Sequence, residues 1–266
     1  MDKFLSRLNI HRYSCELIRF QYHRVNLTLS ALIFAALIYS TLASSAAGNL
    51  AFYAKDESPF GISQEDWLAK YWNWDYSMAF DNQTNTLAGL RDNGCLVHKE
   101  NSTVMLVDTA AGGVWSQKCT ISRNEGIVIP IWIGECNQGQ KGTENSSYKQ
   151  LSDCARSMDL GKVKGIVKVD NIPVANLDAV DYKTKIMNNV SEVYTKQYNA
   201  TVLPGSHTIN DQFGTFPAAA HGWLVFLKPL SPGNHTVYYQ NSVGPTTLSG
   251  AGNVNSAQIT YDFNVK

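Results

Sequence analysis

Three of the chain's six tryptophans, Trp67, Trp72 and Trp74, fall inside eight residues, with Tyr71 and Tyr76 beside them. No other stretch restricts the fold so strongly, because each buried aromatic takes ~150–250 Å² out of water. Ser63, followed three residues later by Asp66, reads as a helix start, since a serine oxygen can satisfy amides that the first turn leaves open. From there Trp67, Tyr71, Trp74 and Met78 recur at i, i+4, i+7 and i+11, one side of an α-helix. The remainder reads as a β-rich body assembled against that helix.

Cys95–His98 and Thr103–Asp108 read as strands around a turn at Lys99–Ser102, after a polar loop at Asp81–Thr86. Gly126–Gly134 is apolar on both faces and predicts a strand covered on both sides. Pro130 inside it removes a ladder donor and predicts a bulge or an edge. Leu151, Cys154, Ala155 and Met158 share a helical face that Gly161 ends. Beyond Lys162 the reading is β throughout. Val163–Val169 turns at Asp170-Asn171 into Ile172–Val174, Tyr182–Met187 and Glu192–Tyr198 alternate, and Gly222–Lys228 is wholly apolar. A turn through Pro229–Asn234 leads to Tyr239, and Ser256–Val265 closes the domain. Nine or ten short strands of this kind predict a mainly β fold, an antiparallel β-sandwich of jelly-roll or Ig-like type, with the Trp-rich helix and one further short helix.

The N-terminal end is different. No charged residue lies between Arg24 and Lys55, and Leu27 to Ala43 is mainly Leu, Ile, Ala and Phe. Basic residues precede this run, and Ser44-Ser45-Ala46-Ala47 follows it, small residues of the kind a signal peptidase accepts. The expectation is a signal peptide cut after Ala46 or Ala47, or an uncleaved anchor formed by residues 27–43. In either case the lysine and arginine excess before the run holds the N-terminus inside and sends the body out, so residues 1–46 are a cytoplasmic stub with the signal or anchor and residues 47–266 a single domain. That body carries 17 bases and 20 acids. Such a balance gives no electrostatic footing for nucleic acid.

Four cysteines, Cys95, Cys119, Cys136 and Cys154, lie in the body, an even number suited to disulfides in an oxidising compartment. Three pairings are open, and the local ones, Cys95–Cys119 and Cys136–Cys154, are favoured; Cys15 stays apart on the inner side. Asn82, Asn101, Asn145, Asn189, Asn199 and Asn234 each head an Asn-x-Ser/Thr triplet, which predicts a glycosylated, exported surface.

The order of Trp67-x3-Tyr71-Trp72-x-Trp74, Cys119-Thr-Ile, Ile129-Pro-Ile, Glu135-Cys136 and the Leu151–Met158 helix before the Asp170 hairpin resembles a family of secreted proteins. Its members occur in archaea, notably ammonia oxidisers, and in various bacteria. The resemblance covers most of residues 60–240, with Tyr71 where a Trp is usual and Ser122 where a Pro is common. It implies a fold and an exported location, and it transfers no catalytic residues.

Candidates for chemistry are few. Glu135, at the end of the doubly apolar strand, is placed where burial could raise its pKa into a range useful for acid–base work; the ordinary alternative is a strand-end carboxylate. His207, Asp211 and His221 could offer imidazole and carboxylate ligands to a divalent ion, but their spacing matches no zinc motif. His235 sits in a turn that it would pack. Trp72 points off the Trp67/Trp74 face and could offer a platform for a sugar ring, although large aromatics are mostly core. No nucleophile elbow, phosphate loop or dinucleotide fingerprint occurs, and no cofactor is expected. The reading that results is an exported, disulfide-bonded, N-glycosylated protein with a non-catalytic binding or structural role, partnered by an extracellular glycan or another surface protein. Two alternatives are an extracellular glycan hydrolase or lyase using Glu135 and a histidine such as His221, and an anchored accessory subunit of a membrane complex.

Overall fold

The computed structural model describes residues 50–81, 86–88, 91–92, 95–107, 113–158, 163–177, 189–206, 212–243 and 255–266. The apolar run at 27–43, Cys15, Asn82, Gly161, Tyr182–Met187, His207 and Asp211 lie outside the described residues. Among those described, no helix is long and apolar enough to cross a membrane.

The Trp-rich stretch forms helix α1, Gln64–Ser77. Ser63 caps it, accepting a hydrogen bond from the Asp66 amide at 3.1 Å, and Glu65 and Asp66 place negative charge in the first turn, where the helix dipole favours it. Trp67, Tyr71, Trp74 and Met78 are all buried, so the 3.6-residue period marks the face that packs. The Trp67 indole N–H would be costly to bury alone; it donates to the Pro59 carbonyl at 2.8 Å.

Fourteen strands follow among the described residues. Residues Ala79–Asp81 (β1) and Thr86–Ala88 (β2) pair as a small hairpin of their own. The first large sheet runs in the order β10-β12-β7-β5-β4-β3, with β11 also beside β12. These strands are Arg91–Asp92 (β3), Cys95–Glu100 (β4), Thr103–Leu106 (β5), Gly126–Asn137 (β7), Ser191–Tyr194 (β10), Tyr198–Val202 (β11) and Gly214–Leu227 (β12). The second sheet runs β6-β14-β13-β8-β9, from Gly113–Ile121 (β6), Val163–Val169 (β8), Ile172–Leu177 (β9), Gly233–Val243 (β13) and Asn255–Val265 (β14). Helix α2, Tyr148–Ser157, stands between β7 and β8 in the chain and opens on a capping box of Ser147 and Gln150.

The two sheets pack together through apolar side chains and a few satisfied polar ones. Tyr261 donates to the Leu96 carbonyl at 2.8 Å, Tyr239 donates to the Val107 carbonyl, and the Asn241 amide donates to the Ile131 carbonyl at 2.7 Å. Gly165 lets the layers close, since a Cβ there would lie 2.2 Å from the Ile131 side chain. Helix α1 packs on the first sheet, through the Lys70–Glu100 ion pair, the Trp74 ring stacked on His98 and the Tyr76 contact with Glu135.

The structure departs from a purely antiparallel sandwich. The pairs β5–β7 and β14–β6 are parallel. After β5 the chain crosses to the second sheet as β6 and returns as β7 in the direction it left, and such a crossover yields parallel neighbours. Pro130 does mark an irregularity: the β12–β7 register shifts between Trp223 and Leu224, opposite it. The segment expected as one strand over Glu192–Tyr198 is two, β10 and β11, both on β12. Their shared partner β12 begins eight residues before Gly222, so the strand expected at Gly222–Lys228 is its second half.

Asn73, on α1, covers an edge. Its side-chain oxygen accepts from the Thr201 amide at 2.9 Å and its side-chain N–H donates to the Asn199 carbonyl at 3.3 Å, so it stands in for a neighbouring strand along β11. Open strand edges invite pairing with other chains. Asn73→Ala is therefore expected to cost about 1–2 kcal/mol, read from urea denaturation, and to raise aggregation measured by light scattering at equal concentration.

Candidate functional site

The corner where α1 ends, β7 ends and β11 begins has its own small core. Tyr76, Ala200, Val202 and Ala218 are buried together, with Trp72, Tyr198 and Phe216 packed against them. Glu135 enters this corner from β7, opposite Ala220 on β12, and is 2% exposed. Tyr76 donates to Glu135 Oε2, as do the side-chain amides of Asn137 at 3.2 Å and Gln140 at 3.3 Å. Asn137 also donates to the Tyr76 oxygen at 3.0 Å and accepts from the Gly139 amide at 2.7 Å.

Burial pushes the Glu135 pKa up to about 8; hydrogen bonds from Tyr76 and Asn137 pull it down without offsetting the burial, and Asp75 nearby pushes it further up. Burial first, and then the neighbouring Glu135 charge, raise both the Tyr76 and the Tyr198 phenols above their ordinary range. Tyr198 and Glu135 interact electrostatically, although the Tyr198 hydroxyl and Glu135 Oε1 make no hydrogen bond of good geometry. The raised pKa expected for Glu135 is present. Its cause is a site closed to solvent within the strand, which continues to Asn137, and not a position at the strand's end.

Glu135 and His221 do not meet. His221 pairs with Gly134 and Glu135 with Ala220, and successive residues of a strand point to opposite faces. On the His221 face lies α2: a Cβ at Gly134 would come 2.8 Å from the Ala155 carbonyl, so glycine permits the helix to approach. There His221 Nε2 is 3.2 Å from Glu192 Oε1, the Tyr194 ring lies 4.5 Å over the imidazole, and Tyr194 donates to the same Glu192 oxygen at 2.6 Å. His207 and Asp211 lie outside the described residues. Among those described, no three His, Cys, Asp or Glu side chains are grouped to hold a metal ion. Trp72 is half-buried, edge-on to Tyr71 and tilted over Tyr76 at 5.6 Å, so its ring is part of the corner's packing.

A second arrangement, unexpected from spacing, has the outline of a nucleophilic triad. His235 Nδ1 is 2.7 Å from Asp170 Oδ2, and His235 Nε2 is 3.3 Å from Ser231 Oγ. The same Nε2 lies closer, at 2.9 Å, to the Ser231 carbonyl. Facing a carbonyl, Nε2 must carry a proton, and it then cannot take one from the serine hydroxyl as a triad requires. Asp170 also accepts from the Thr236 amide at 2.8 Å. Asp170 and Asn171 hold positive φ, 50° and 65°, in the β8–β9 turn, and the histidine ties that turn to the start of β13. The group fastens two turns.

Both disulfides join partners close in sequence. Cys95–Cys119 links β4 to β6 and so one sheet to the other, with Cα atoms 5.3 Å apart. Cys136–Cys154 links β7 to α2 at 6.0 Å. Of the Asn-x-Ser/Thr asparagines, Asn101, Asn145, Asn199 and Asn234 are exposed. Asn189 is half-buried and donates its side-chain N–H to the Val174 carbonyl at 2.9 Å.

No family model matches the chain, and no curated protein matches it. Among solved structures, a cysteine protease inhibitor from Entamoeba histolytica is similar at 14% identity and a TM-score of 0.21, over 57% of this chain and 97% of its own. The solution structure of amebosin is similar at 12% identity and a TM-score of 0.18, over 58% of this chain and 100% of its own. Likenesses this slight carry no argument about fold or function.

Two outcomes follow for the residues described. The unfolded chain gives up the Glu135 proton near its ordinary pKa of 4.5, while the folded chain keeps it to about 8. The stability this group contributes is full below the lower value, falls across the window by at most about 1.4 kcal/mol per pH unit, and is level above it. Glu135→Gln should remove that slope in urea denaturation followed across the window. Ser231, lacking a base, should stay unlabelled by a fluorophosphonate probe read by peptide mass spectrometry.

Proposed function

We propose that this chain is an exported protein whose body acts outside the cytoplasm in a non-catalytic binding or structural role, secreted or held at the cell surface. The observation that carries this reading is the pair of disulfides, since such bonds persist in oxidising compartments and are rare where thiols are kept reduced. They close loops of 24 and 18 residues, each worth about 3 kcal/mol by constraining the unfolded chain. The apolar run at 27–43 supplies the means of export, as a cleaved signal or an anchor. The resemblance to secreted archaeal and bacterial proteins agrees with this.

The non-catalytic part of the reading is supported by Glu135, which is sealed behind Tyr76 and Tyr198 with His221 on the opposite face of the sheet. The hydrolase alternative asked for both in one open pocket. The partner is an extracellular glycan or another surface protein. Exposed sequons at Asn101, Asn145, Asn199 and Asn234 fit a glycosylated surface, whereas Asn189 holds its amide against β9.

Protein isolated from its own cells and alkylated before and after reduction is expected to show Cys95, Cys119, Cys136 and Cys154 modified only after reduction. Free thiols at these positions in the native protein overturn the export reading. Glycopeptide mapping of the same material is expected to find glycan among the four exposed asparagines and none on Asn189.

A further inference from the structure

Glu135 gathers separate parts of the chain at one carboxyl group. Tyr76 belongs to the last turn of α1, Asn137 ends β7, Gln140 lies in the turn after it, and Tyr198 begins β11. The hydrogen bonds from Tyr76, Asn137 and Gln140 all arrive at Oε2, and Oε1 has no hydrogen bond of good geometry, with the Tyr198 hydroxyl close to the carboxyl. This one-sided pattern suits a neutral carboxylic acid, whose carbonyl oxygen accepts while its other oxygen carries the proton. It suits an anion poorly, because a buried charge must be paired or fully hydrogen-bonded to be tolerated. The titratable groups facing the carboxyl are Tyr76 and Asp75 from α1 and Tyr198 from β11, and none is a cation. From β12 come Ala220, opposite Glu135, and Ala218, neither of them ionisable.

We propose that Glu135 is a proton-held latch: while its carboxyl is neutral the last turn of α1 and strand β11 stay closed on β7, and when the proton leaves that corner opens. Two features make the opening local. The buried cluster of Tyr76, Ala200, Val202 and Ala218 is distinct from the main core that unites the sheets and is bridged to it by the half-buried Trp72 and Tyr198, so it can part while the sheets hold. The outer edge of β11 is hydrogen-bonded to α1 through the side chain of Asn73. Opening uncovers Tyr76 and the covered faces of Trp72, Tyr198 and Phe216, which are half-buried in the closed form. The latch is independent of where the protein resides.

The test is amide hydrogen exchange, corrected for its intrinsic pH dependence, on the full chain and on Glu135→Gln across the pH where Glu135 ionises. In the native protein, exchange at Trp72–Met78 and Tyr198–Val202 should rise about tenfold or more as pH passes about 8, while β7 from Ile127 to Ile133 stays protected. In Glu135→Gln the corner should stay closed throughout. No rise in the native protein, the same rise in the variant, or a rise shared with β7 each overturns the latch. If the variant does not fold, infrared spectra of the native protein labelled at glutamate decide instead. A carboxylic acid band present at pH 6, when the other glutamates are ionised, and lost as the corner opens supports the latch; the lack of that band at pH 6 overturns it.

Discussion

The removal of one helix face from water underlies everything else in this fold. Trp67, Tyr71, Trp74 and Met78 can be buried only by a broad apolar surface, and the outer face of the first sheet is that surface. The second sheet then covers the other side of the same strands, which is why β7 and the second half of β12 are buried almost without interruption. A strand covered on both faces cannot alternate in polarity. The apolar run Gly126–Gly134 thus follows from having a helix on one side and a sheet on the other.

Polar groups inside such a layered body need partners, and several find them on the backbone of a neighbouring element. Tyr261 and Asn241 reach backbone carbonyls across the gap between layers. The Trp67 indole reaches Pro59. Glu135 differs because it brings an ionisable group into the interior with donors on one oxygen. A buried acid of this kind remains uncharged at neutral pH, and its neutrality is part of how the corner is packed.

Much of the layering was legible in the sequence. The tryptophan spacing marked the packed face of α1, Ser63 marked its start, and the Asp170-Asn171 turn marked the β8–β9 hairpin, because these depend on local geometry. Parallel pairing was not legible, since it follows from where the chain crosses between sheets, and no residue type records that. Glu135 stood out as a carboxylate beside apolar residues, yet its partners Tyr76, Asn137, Gln140 and Tyr198 did not. Tyr76 lies fifty-nine residues away, and only the end of α1 brings it near. Its position just past the last tryptophan, off the predicted face, was the available signal. The separation of Glu135 from His221 is likewise a matter of strand register, and a difference of one residue between opposing strands sends two side chains to opposite sides.

Strand β14 lies in the interior of the second sheet, between β6 and β13. Its neighbour β6 comes from far earlier in the chain and, among the described residues, has no other strand beside it in that sheet. Residues 255–265 are thus the keystone of their layer: until they have been synthesised, β6 has nowhere to dock and the layer cannot close. A chain lacking residues 255–265 therefore holds β6 without its neighbour, and the layer closes only once they arrive.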